Sequence, residues 1–154
     1  DVGDPYHVAP VAHRETDVPL VVGAVALVAS AGRVEESLLA EILVLDARGV
    51  PKAYGAEDGT SLRRYDIAHG KAYGALAMGV GSKTLGMRAV ERPHFLNAVN
   101  GAIGGAMVPV AGGVLVRIDG EIVGCVGVTG DSSDNDELSA RAGIAALGLT
   151  GDPS

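Results

Sequence analysis

Apolar and polar positions alternate from Val114 to Ile122 and break at Asp119-Gly120. That is the two-residue period of a hairpin with one buried face, and the Asp-Gly pair supplies the positive φ its turn needs. Upstream, Ile42 to Leu45 is a short apolar strand, Asp46-Ala47-Arg48-Gly49 a turn, and Val50 to Tyr54 a returning strand. Pro51 puts that second strand at a sheet edge or at its own beginning. A helix is expected from a cap at Thr60 or Ser61 to about Met78. Val80 to Arg92 reads as mixed and broken by glycine, and a short helix follows Pro93 around His94 to Val99. Val108 to Val110 reads as a strand and about Asp134 to Leu147 as the last helix, with Ser133 and Asp136 at capping-box spacing.

Ahead of these, residues 1–17 have no apolar period and are expected to form an extended arm. An apolar run from Pro19 opens a helix with Asp17 as cap and Gly32 near its end, and 34–39 can continue it. The order of elements predicts an α+β fold: a single domain over 18–150, with an antiparallel sheet of about five strands flanked by helices. The hairpin near the carboxy end should stack on the helix bearing Lys71 and leave a glycine-lined hollow between them.

Composition narrows the function. Hydrophobic residues make up 47% and aromatic ones 3%, with no Trp, so the core is built from Ala, Val, Leu and Ile. The net charge is -7 and the largest basic cluster is Arg63-Arg64, which disfavours nucleic acid as a partner, because phosphate neutralisation needs a basic stripe. No run approaches the roughly 18 apolar residues of a membrane span, and the polar, acidic stretch ahead of Pro19 argues against a signal peptide. A cytoplasmic protein is expected. Cys125, between Gly124 and Val126 in an apolar strand, reads as a buried small hydrophobe. His7 and His13 fall in the arm, and no metal-ligand spacing occurs.

The candidate chemistry lies in two places. Tyr65, His69 and Tyr73 recur at spacing four along one helix face, where His69 is either an axial ligand or proton carrier, or simply part of a packed row of rings. Lys71 lies roughly opposite, either exposed or paired with an acidic ligand group or with Asp136. Thr129-Gly130 leads into a helix start that suits a carboxylate, while Asp136 serves equally as cap or ligand-binding residue. His94 and Asn97 form a polar cluster that reads as a second ligand position or as plain surface. Glycines 124, 127 and 130 imply that a helix or a ligand approaches the backbone closely.

Several motifs stand in the order found in the GlcG/HbpS family, which includes the carboxy-terminal domain of PduO-type proteins. They are Val44-Leu45-Asp46-Ala47-Arg48-Gly49, Asp58-Gly59, Ile67-Ala68-His69-Gly70-Lys71-Ala72, Gly112-Gly113, Asp119-Gly120, Gly127-Val128-Thr129-Gly130 and Asn135-Asp136. The chain resembles that family over about residues 38 to 148. Thr60, Thr129 and Asn135 stand where the family usually has Ala, Ser and Gln. The resemblance implies the same α+β fold, assembly as a homo-oligomer, and binding of heme or a related tetrapyrrole. The ligand would sit among Tyr65, Tyr73, His94, Asn97, Gly112, Gly113, Thr129 and Gly130. Two alternatives stay open: an enzyme on a small catabolic intermediate acting through His69, Lys71 or Asp136, and a structural assembly subunit.

Overall fold

The structure, a computed structural model, describes residues 40–152. The expected arm at 1–17, the helix from Pro19, its continuation through 34–39, His7 and His13 lie outside the described residues.

β1 (Glu41–Asp46) and β2 (Pro51–Ala56) form the first hairpin. Its turn is tied by Asp46, whose Oδ1 accepts from the backbone N–H groups of Arg48 at 2.9 Å and Val50 at 3.0 Å. Three helices follow, α1 (Arg64–Met78), α2 (Ser82–Glu91) and α3 (Pro93–Ala102). Then come β3 (Gly113–Ile118), β4 (Glu121–Thr129), α4 (Ser133–Ala146) and a two-residue β5 (Thr150–Gly151). The five strands make one antiparallel sheet in the order β2-β1-β4-β3-β5. At the β3–β4 turn Asp119 and Gly120 both have positive φ, 51° and 83°, the conformation whose twist matches the flanking strands.

Two apolar layers cover the two faces of this sheet. Leu43, Leu45, Leu115 and Cys125 pack on Ala68, Ala72 and Ala75 of α1. Ile42, Val44, Val114, Val116, Val126 and Val128 pack on Ala140 and Ile144 of α4. The carboxy-terminal hairpin is therefore buried on both faces. Its simple alternation also fails because the β3–β4 register shifts after Val116, which places Ile122 in the α1 layer. Cys125 is fully buried, and burial pushes its thiol far above the ordinary range, as suits an inert core residue.

Several expected boundaries move for identifiable reasons. α1 starts at Arg64 rather than at a Thr60 or Ser61 cap, and no side chain caps it. Residues 82–91 form one helix despite Gly86, because that glycine is where the Pro109 carbonyl rests: a Cβ there would lie 2.9 Å from its oxygen. Val108 to Val110 is not a strand. The Val108 N–H donates to the carbonyl of Gly70 in α1 at 3.0 Å, and a Cβ on Gly70 would meet Val108 Cγ2 at 2.5 Å. This segment therefore lies in a trough cut by Gly70, Gly74 and Gly86 instead of joining the sheet.

Candidate functional site

The helix and the hairpin meet as the sequence suggests, but without a hollow. A Cβ on Gly127 would overlap the Ala68 carbonyl oxygen, and one on Gly113 would overlap that of Lys71. These glycines let the α1 backbone touch the sheet directly. Close approach of the helix accounts for Gly127, and at Gly112-Gly113 the protein's own Lys71, Ser82, Val128 and Asp136 stand against the two glycines.

What fills that space is Lys71 itself. Its side chain is 2% exposed, and Nζ donates to Asp136 Oδ2 at 2.8 Å and to the Val128 carbonyl at 3.0 Å. A Cβ on Gly112, whose φ is 119°, would lie 2.9 Å from Nζ. The surface-lysine reading is thus corrected: the α1–β3 contact swallows the four-carbon stem. Burial pushes Lys71 below its ordinary value and Arg64 adds to this, while the Asp136 carboxylate acts the other way.

Asp136 also ties the loop that leads into the helix. Its Oδ1 accepts from the Asp131 N–H at 3.0 Å, and Ser132 Oγ accepts from Asn135 N at 3.4 Å. The cap of α4 is therefore Ser132 and not Ser133, with Asp136 freed to hold the loop after Thr129-Gly130 and to pair with Lys71. Just beyond Thr129-Gly130 it is the protein's own Asp136 carboxylate that accepts from the Asp131 N–H, while the Thr129 hydroxyl accepts from Arg64.

The aromatic stripe lies on a different flank of α1, towards β2. The rings of Tyr65 and His69 stack with centroids 6.1 Å apart, and those of His69 and Tyr73 at 5.3 Å. Tyr54 of β2 extends the row, meeting Tyr65 edge-on at 5.3 Å. Tyr73 is anchored by the first hairpin, where a Cβ on Gly49 would lie 3.1 Å from its ring. No side-chain hydrogen bond among the described residues involves His69.

At the amino end of the stripe Arg64 Nη1 donates to Thr129 Oγ1 at 3.2 Å. Thr129 is buried and stands opposite Glu41 in the β1–β4 register. Partial burial, then the neighbouring Glu41 carboxyl, pushes the Tyr54 phenol above its ordinary value. Sequence reasoning missed Glu41, Tyr54 and Arg64. The available signal was that Glu41 opens an apolar strand, where an acid is out of place. His94 and Asn97 are exposed on α3, which packs on α2 through Leu85 and Leu96, and they are not brought to this cluster. Among the described residues, no group of three or more His, Cys, Asp or Glu could hold a metal ion, and no helix is long and apolar enough to cross a membrane.

Residues 20–145 match the family model described as haem degrading protein HbpS-like. The chain belongs to the HbpS-like family. Solved structures share its fold. The PduOC:heme complex has a TM-score of 0.74 at 23% identity, covering 93% of this chain and 100% of that one. A double mutant of HbpS from Streptomyces reticuli has a TM-score of 0.71 at 27% identity, covering 91% and 97%. Protein ORFY of Klebsiella pneumoniae has a TM-score of 0.72 at 21% identity, covering 82% and 89%. No curated protein matches the chain. The five-stranded antiparallel sheet with its flanking helices is thus the HbpS-like fold, and the motifs at Lys71, Gly112-Gly113 and Asp136 are the contacts that hold its helices to its sheet.

Proposed function

We propose that this protein binds a haem-class tetrapyrrole on the outer flank of α1. The observation that carries the reading is the partly exposed row Tyr54, Tyr65, His69 and Tyr73, which ends beside Arg64. Family membership and the haem complex of the PduOC neighbour support the ligand class. Haem, when bound, supplies an iron centre that takes a nitrogen ligand and a flat macrocycle bearing two carboxylates. The residues present fit that chemistry: His69 offers an imidazole, Tyr65 and Tyr73 offer ring faces, and Arg64 offers a guanidinium for a carboxylate. Lys71 and Asp136 are engaged with each other in the interior, so the enzyme reading through that pair has less support.

Hemin titration tests the proposal. A saturable Soret shift is expected, weakened about tenfold or more by His69→Ala and unaffected by His94→Ala. Absence of saturation, or dependence on His94 instead of His69, would overturn it. We also propose that the protein self-associates through α2 and α3, whose Met87, Val90 and Phe95 are exposed apolar side chains.

A further inference from the structure

Glu41 is 3% exposed, and its Oε2 has no hydrogen-bond partner. Leaving a buried carboxyl oxygen unanswered is costly, so such an atom calls for an explanation. Across the β1–β4 pairing stands Thr129, 2% exposed, and on the far side of its hydroxyl stands Arg64. Arg64 makes no ion pair among the described residues. Acid and guanidinium thus come to the same buried threonine without forming an ion pair, Glu41 through strand register and Arg64 from the start of α1. Tyr54 and Tyr65 wall the group from outside and are 49% and 36% exposed. The Tyr54 phenol reaches the Glu41 carboxyl but leaves Oε2 without a partner, and Tyr54 belongs to an edge strand, where its ring can swing outward without breaking the core.

We propose that Glu41, Thr129 and Arg64 form a binding site for a small organic acid carrying a hydroxyl or ammonium donor beside its carboxylate, with Tyr54 as the movable cover. The ligand carboxylate pairs with Arg64 and accepts from the Thr129 hydroxyl, whose oxygen already accepts from Arg64. The adjacent donor bonds to Glu41 Oε2. A plain carboxylic acid leaves Glu41 unanswered, and a plain amine leaves Arg64 unanswered. Discrimination follows from the cost of leaving the buried Glu41 oxygen unpaired in one case and from the missing ion pair at part-buried Arg64 in the other. The site does not rest on the tetrapyrrole reading.

Calorimetric titration of the full chain with L-lactate, L-alanine, acetate and ethylamine tests it. Lactate or alanine is expected to bind about tenfold or more tightly than acetate and ethylamine, and whichever does so identifies the donor. Glu41→Met should reduce that ligand to the level of acetate, and Arg64→Met should abolish its binding. Glu41→Gln should spare lactate, whose hydroxyl the amide oxygen still accepts, and weaken alanine, whose ammonium loses its counter-charge. Acetate binding as tightly as both, no saturable heat with any of the four, or binding indifferent to Glu41→Met would overturn the proposal. If Glu41→Met does not fold, Arg64→Met decides instead, and binding that survives it overturns the proposal equally. A flat hemin titration with lactate or alanine binding intact would remove only the tetrapyrrole reading.

Discussion

Asp46 illustrates how one side chain fixes a local shape and records it in a titration. Burial pushes its carboxyl up, but the Val50 and Arg48 N–H groups, the Arg48 guanidinium and Lys52 outweigh this and hold it at about 2 against an ordinary 3.8. A carboxyl whose folded value is depressed contributes stability above its unfolded value and loses it as pH falls through the folded one. Acidification from pH 4 to pH 2 should therefore cost about 2 kcal/mol at this site, and Asp46→Asn should flatten that limb of a urea-stability profile. Lys71 and Asp136 call for a paired experiment. Lys71→Met or Asp136→Ala alone strands a buried charge and should cost about 3–5 kcal/mol, while Lys71→Met with Asp136→Leu should recover much of it. Chemical denaturation of the three variants checks this.

At the level of elements, the contact between α1 and the sheet is made by main chain as much as by side chains. Gly127→Ala would force the helix off Ala68, and a loss of about 3 kcal/mol or more is expected in thermal or urea unfolding. The hairpins and α4 were legible in the sequence because apolar runs, turn residues and an acidic first turn are local signals, whereas the half-buried period read into the carboxy-terminal hairpin does not hold, since helices cover both of its faces. α2 and the path of 106–112 were not, because both depend on glycines whose partners lie far away in the chain. A glycine reads locally as a breaker, and at Gly86 the breaker is a seat for the Pro109 carbonyl. The short β5 escaped for a similar reason, since two residues carry no period and only the edge of β3 makes them a strand.

For the whole molecule, the family motifs are visible in the chain, but their meaning is divided between scaffold and surface. Lys71, Gly112, Gly113 and Asp136 belong to the scaffold that clamps α1 and α4 to the sheet. The stripe from Tyr65 to Tyr73, with Arg64 and Tyr54, lies on its outer flank, above the buried Glu41. Sequence spacing offers the Lys71–Asp136 contact as one option among several, and only the fold reveals that it seals itself off. Self-association belongs to this scale too: Val90→Lys should lower the weight-average mass in sedimentation equilibrium if α2 and α3 meet another copy, and an unchanged mass would remove that surface from consideration. The trough of Gly70, Gly74 and Gly86 has one more implication. An aliphatic core position has smaller replacements to fall back on, whereas a glycine has none, since every alternative is bulkier. In a saturation scan the least forgiving sites of this protein should accordingly be places with no side chain at all, ranking above its leucines and valines.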